Sequence, residues 1–310
     1  MTKPLLSAAS SPVVVTAMPG ERGEDAPAVL ASPQPRVGLL RLLWRHRASR
    51  AGLVMLALIA AAALLAPWIA PHDPAVQNLQ RTFDAPSAAH WLGTDSLGRD
   101  LLSRLLHGAR ITLAMVGSIC LASGLVGLVV GTVAALAGRW VDGLLMRTTD
   151  IFLALPGLVL ALAIAAALGP GLVNAAIAIT LTAWPPIARL ARSEALVVAR
   201  ADYIDAVRIQ GASALRIVAL HVSPMVAGTV AVRVALSASS VALRAAGLAF
   251  LGLGAQPPSP EWGAMLAPSQ AYLLQHPAVA LVPGGAIVLL ALAINLVADG
   301  LRDSLDTRHE

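Results

Sequence analysis

Apolar residues run along this chain in long uninterrupted stretches, with no alternation at strand period to compete with helix. Residues 51–71, 111–138, 151–188 and 262–298 are free of Asp, Glu, Lys and Arg. About 20 apolar residues carry a helix across a bilayer, so the first two runs predict one crossing each. The last two are longer and hold further segments. Turn residues place the breaks. The pattern predicts six transmembrane helices, at about 51–70, 112–137, 143–168, 172–190, 224–251 and 279–297, hence an all-α polytopic membrane protein.

The remaining chain falls into distinct pieces. Residues 1–35 mix Ser, Pro, Ala and an acidic patch at 21–25 without apolar period, and read as a disordered tail. Over 36–50, Leu40, Leu43 and Trp44 share one helical face while Arg41, Arg45, Arg47 and Arg50 crowd the other, predicting an amphipathic helix on the inner leaflet. Trp68 marks the outer end of the first crossing, and 71–111 form an extracytoplasmic loop. Gly138 to Asp142 make an inner turn and Gly169-Pro170-Gly171 an outer one, while Trp184-Pro185-Pro186 should kink the fourth crossing. Residues 193–224 form an inner loop and 299–310 a polar tail, so both termini are expected in the cytoplasm.

Charge supports that orientation. Of 22 basic residues, four (Arg81, Arg99, Arg104, Arg110) fall outside and two (Arg233, Arg244) within the membrane, leaving the rest on the inner side. The net charge of +5 is therefore a matter of topology rather than of a nucleic-acid face. With 57% hydrophobic and 13% charged residues, the chain is far poorer in charge than a soluble domain of this length. One cysteine, Cys120, excludes an intrachain disulfide and a thiolate metal cage. The single lysine, Lys3, excludes a P-loop in the body of the chain, so any ATP is hydrolysed by another subunit.

Two polar stretches carry the candidate chemistry. Residues 201–224 form an Arg-bearing island that reads as helix, turn, helix, with Gly211 at the reversal and Pro224 in the first turn of the next helix. In 90–110, His90, Asp95, Asp100 and His107 are candidate metal ligands. Gly93 and Gly98 with caps at Thr94 and Ser96 more simply make a turn that starts a helix near Leu97, and no metal or cofactor is expected. Gly124, Gly127 and Gly131 give the second crossing a small-residue face for close packing. Arg147 and Asp150, one turn apart, form a candidate pair at the inner surface. Arg233 and Arg244 lie three turns apart on nearly one face of the fifth crossing, where charges normally face a partner or a water-filled path.

The segment Leu92-Gly93-Thr94-Asp95, Gly98-Arg99-Asp100, Ser103-Arg104 and Gly108-Ala109-Arg110 strongly resembles permeases of the dipeptide, oligopeptide and nickel importer group. Asp142, Arg147, Asp150 and Pro156 match the same group, as do Phe250 to Gly254, Gln256-Pro257-Pro258 and Glu261-Trp262-Gly263. The 201–224 stretch resembles the group's cytoplasmic coupling loop, with Asp205-Ala206-Val207 standing where Glu-Ala-Ala recurs.

This resemblance covers about 53–302 and implies the second permease of a peptide-type ABC importer with a type I permease fold, in the cell (inner) membrane. It further implies a homologous permease partner, two ABC ATPase subunits and an extracytoplasmic substrate-binding protein. Coupling would fall to Asp205, Ala206 and Gly211, with Tyr203, His221 and Pro224 in support. Arg233 and Arg244 are candidates for the translocation path. The group usually has a glutamate after Arg244, and this chain has Ala245.

No G-x-S-x-G elbow or H-E-x-x-H helix occurs, so an embedded enzyme lacks its catalytic groups. A nickel or metal-chelate importer shares the same motifs and stays open as the cargo alternative. An ion-coupled carrier or channel is the alternative of another class.

Overall fold

A computed structural model describes residues 46–306, with side chains through Arg302. Residues 1–45 and 307–310 lie outside it, and with them the expected tail and most of the amphipathic helix over 36–50. Beyond one isolated bridge between Thr94 and Asp100, the regular structure among the described residues is helical. The helices are α1 (Arg47–Ile69), α2 (Leu101–Leu136), α3 (Arg139–Ala154), α4 (Gly157–Leu168), α5 (Leu172–Val198), α6 (Asp202–Ile209), α7 (Ala214–Ile217), α8 (Ser223–Phe250), α9 (Trp262–Ser269) and α10 (Ala278–Asp306). A π turn, Val218–Val222, joins α7 to α8 without a break.

Among the described residues, four stretches are long and apolar enough to cross a membrane: α1, α2, Ala214–Phe250 and Ala278–Arg302. The α3–α4 pair makes a fifth if its 94° bend is counted within one span. α5 has the length, at 27 residues, but its second half carries Trp184-Pro185-Pro186, Arg189 and Arg192, and it is not one of them.

Several boundaries differ from the sequence pattern. α5 runs on to Val198 and α10 to Asp306, so the first residues of the expected 193–224 loop and of the 299–310 tail are helical. The helix expected over 143–168 is two helices, because Pro156 has no N–H to continue α3 and holds Leu155 extended (φ −103°, ψ 145°). The helix expected near Leu97 starts at Leu101, so the last residues of the 71–111 loop are helical. Gly98 is left-handed (φ +70°), which ends any helix there, and the cap is Asp100, accepting from Ser103 N, rather than Thr94 or Ser96. Arg47 to Arg50, expected in an interfacial helix, are the first turn of α1.

The small-residue face of α2 allows close contact. A Cβ on Gly127 would stand 2.6 Å from Ile187 and one on Gly131 2.4 Å from the Ala188 carbonyl of α5, distances at which only hydrogen fits. At one end of α2, Leu101, Ile119, Leu248, Trp262 and Leu290 form a core joining α2, α8, α9 and α10. At the other, Ile187, Ala191, Ile204, Ile217, Val222 and Val226 form a second core that seats α6.

Candidate functional site

The 201–224 stretch is built as a projection anchored on the second core. Ile204 of α6 is fully buried in the second core, while Tyr203, Asp205, Ala206 and Ile209 on the other faces are exposed. α6 ends in a paired 5→2 and 6→1 hydrogen-bond motif: Gly211 N donates to Arg208 O (2.9 Å) and Ala212 N to Val207 O (3.3 Å). That closure needs a left-handed residue, and Gly211 supplies it at φ +83°. Ser213 then caps α7 by accepting from Arg216 N at 3.3 Å.

Pro224 lies in the first turn of α8, as expected, but that helix continues the preceding one rather than opening afresh. It comes immediately after the π turn, whose wider ladder takes Ser223 N to Val218 O. A proline inside a continuous helix loses one donor and crowds the preceding turn, and the extra residue of a π turn accommodates both. His221 lies within that turn, half-buried. Tyr203 reaches across to α8, its hydroxyl 2.7 Å from Met225 Sδ, and Asp205 pairs with Arg208 at 2.9 Å. The six candidate residues thus share one projection, but they do not converge on a reacting centre. Ile209, 88% exposed, and Leu215, Leu220 and Met225 leave much of its surface apolar.

Arg233 and Arg244 line one cavity of about 310 Å³, walled by the α3–α4 break, α5 and α8. Arg147 and Asp150 are not paired with each other. Asp150 instead pairs with Arg189, and Asp142 takes Arg192 in a two-pronged contact at 2.5 Å, so both bridges tie α3 to α5. The sequence missed these because both partners sit on a helix distant along the chain.

At the opposite end of α2, the Gly93–Arg104 motif is structural. Asp95 accepts from Leu97 N (2.9 Å) and Arg99 N (3.0 Å), and its other oxygen takes Arg99 Nε at 2.7 Å. Arg104 lies 3.5 Å from the same carboxylate and donates to Pro74 O at 3.0 Å. Buried Glu261 caps α9 through Ala264 N (2.8 Å) and accepts from Thr112 of α2 at 3.1 Å.

His90 meets Asp100 at 2.9 Å, and His72, not the expected His107, completes a group whose ligand atoms lie within 4.8 Å. His107 is 3.0 Å from the Ser103 carbonyl of its own helix, and Asp95 belongs to the arginines. Burial alone would raise the Asp100 pKa, but hydrogen bonds from Ser103 and His90 outweigh it and hold the carboxyl below its usual range.

Residues 127–310 match the family described as the binding-protein-dependent transport system inner membrane component. The chain belongs to that family. Residues 38–86 further match the N-terminal transmembrane domain of oligopeptide transport permease C. The chain is 43% identical to a di/tripeptide transport system permease protein of Pseudomonas aeruginosa, over 90% of this chain and 94% of that one. It is 39% identical to a probable D,D-dipeptide transport system permease of Escherichia coli (92% and 97%). A glutathione transport system permease of Pectobacterium atrosepticum is 41% identical (86% and 89%). A chain of an inward-facing MetNI methionine ABC transporter covers 65% of this chain and 96% of its own, with TM-score 0.51 and 21% identity, and so shares the fold. The family is one of transport permeases rather than enzymes.

Proposed function

We propose that this chain is a permease subunit of an ATP-driven importer of di- and oligopeptides, the second of two homologous permeases lining one path. Two ABC ATPase subunits sit beneath it and an extracytoplasmic binding protein delivers cargo. The chain crosses the inner membrane six times, with α3–α4 and α5 completing the count and both termini in the cytoplasm. The peptide names of its relatives favour this cargo over metal chelates.

The observation that carries the reading is the α6 projection: exposed on three sides, anchored by Ile204, and closed by Gly211 into a shape of its own. From Ile204 a displacement passes through packed side chains to Ala191 of α5 and Val226 of α8, two of the elements that wall the arginine cavity. ATP-driven closure of the ATPases acts on Tyr203, Asp205, Ala206 and Gly211, with the π turn at His221 and Pro224 as the seam where α8 shifts. This is a population shift between two access states, set by the ATPases' different contacts with each.

The test is uptake and ATPase activity of the assembled complex carrying Gly211→Asp. A Cβ at Gly211 meets nothing within 4 Å, so the substitution strains φ locally but clashes with no core. We expect the complex to assemble and uptake to fall sharply. Undiminished uptake, or transport by this chain without any ATPase, overturns the reading in favour of an ion-coupled carrier.

A further inference from the structure

The cavity at the α3–α4 break differs in chemistry from a larger groove, the roughly 880 Å³ cleft between α2 and α5, whose lining is mainly apolar. Into the smaller cavity α8 sends Arg233, Ser237, Ser240 and Arg244, and α5 sends Thr182. The Arg244 guanidinium lies against the start of α4, with Nη1 3.5 Å from where a Cβ on Gly157 would stand. Among the described residues neither guanidinium has an ion-pair partner, for Asp142 and Asp150 are taken by Arg192 and Arg189.

The hydroxyls are also committed. Ser237 donates to the Arg233 carbonyl (3.0 Å), Ser240 to the Ser237 carbonyl (2.7 Å) and Thr182 to the Ile179 carbonyl (3.0 Å). With their protons turned to the backbone, they offer the cavity lone pairs. The cavity therefore presents two cations and several neutral acceptors, and no carboxylate lines it.

That combination suits a carboxylate adjoining an N–H donor, and it disfavours an ammonium group. We propose that this cavity is a transit subsite for the C-terminal carboxylate of the peptide cargo, an inference that rests on the importer reading above. Arg233 and Arg244 take the carboxylate by charge-assisted hydrogen bonds, and Ser237 and Ser240 accept the neighbouring amide N–H. Eleven residues separate the arginines, about 16 Å of helix rise, so they receive the carboxylate in succession as the peptide moves along α8. Each hold need only be weak, since a path must release what it binds.

The experiment uses the complete complex with its ATPases and binding protein in proteoliposomes. It measures ATP-driven uptake of one dipeptide as the free acid and as the C-terminal amide. For each cargo the rate of Arg244→Gln, and of Arg233→Gln, is divided by the wild-type rate, which cancels whatever preference the binding protein has. We expect the free acid to lose roughly 10- to 100-fold and the amide to lose little. In an Arg244→Cys, Cys120→Ser chain, aminoethyl methanethiosulfonate should restore free-acid uptake and the sulfonatoethyl reagent should not.

Equal losses for both cargoes, or rescue by either reagent alike, overturn the subsite. A loss seen only in vesicles containing phosphatidylglycerol, absent in pure phosphatidylcholine, makes the anion a lipid phosphate and also overturns it. Failure of the glutamine variants to co-purify with the second permease assigns the arginines to a subunit contact instead. Absence of ATP-driven uptake in the wild-type complex would sink the importer reading itself, a result distinct from all of these.

Discussion

At the residue scale, the glycines of α2 separate two kinds of small residue that look alike in sequence. Gly131 faces the Ala188 carbonyl with no room for a methyl, whereas a Cβ on Gly117 of the same helix meets nothing within 4 Å. Gly131→Ala should therefore destabilise by about 1–3 kcal/mol through overpacking against α5. Gly117→Ala should be neutral or slightly stabilising, because alanine is the better helix former. Thermal unfolding of the two variants in the same detergent checks this, and equal midpoints would remove the close-packing argument. The glycine spacing was legible as a packing face, but which helix it meets was not. Ile187 and Ala188 lie more than 50 positions further along, and no local pattern points to them.

At the element scale, α6 depends on few anchors, with Ile204 buried and Val207 half-buried beside it. It has eight residues, too few to persist alone in water, so its order comes from Ile204 in the second core and from the Gly211 closure. Ile204→Ala removes a fully buried side chain and should cost about 2–5 kcal/mol of local stability. Amide exchange over 202–210 should then quicken while α2 and α5 stay protected. Unchanged exchange in α6 would show that something other than Ile204 holds it. The turn at Gly211 was legible because left-handed backbone strongly selects glycine. The π turn was not: Pro224 marks trouble for a helix but does not say whether the chain breaks, kinks or widens. Pro156 and Pro224 show two of these outcomes, a 94° break at the first and a π turn beside the second. Neighbouring helices decide between them, and those are set by the fold rather than by the local residues.

For the whole molecule, the two ends of α2 have different tasks. One end is welded, with Asp95, Arg99, Arg104 and Glu261 fixing the loops onto α2 and α9. The Gly93–Arg104 motif is thus scaffold, its carboxylates and arginines spent on one another. The other end carries the projection, whose shape rests on a buried isoleucine, Ile204, and a left-handed glycine, Gly211. The cavity with Arg233 and Arg244 lies along α8 between these ends. Its charges and their common face of α8 were legible from the sequence, and the cavity they line was not, because its walls depend on the α3–α4 break and on α5.

This arrangement fixes a prediction for the assembled protein. Leu274, 91% exposed, follows α9, and Ile209, 88% exposed, tips α6. In the six-crossing topology they face opposite sides of the membrane. In right-side-out vesicles of a Cys120→Ser chain, a membrane-impermeant maleimide should label Leu274→Cys at once and Ile209→Cys only after permeabilisation. In inside-out vesicles Ile209→Cys should react when the chain is expressed without its ATPases and be protected when they are present. Labelling of both positions from one side would overturn the topology. Labelling of Ile209→Cys that ignores the ATPases would leave the topology standing and remove α6 as their docking element, since a side chain so exposed in the lone chain must lose solvent wherever a partner sits on it.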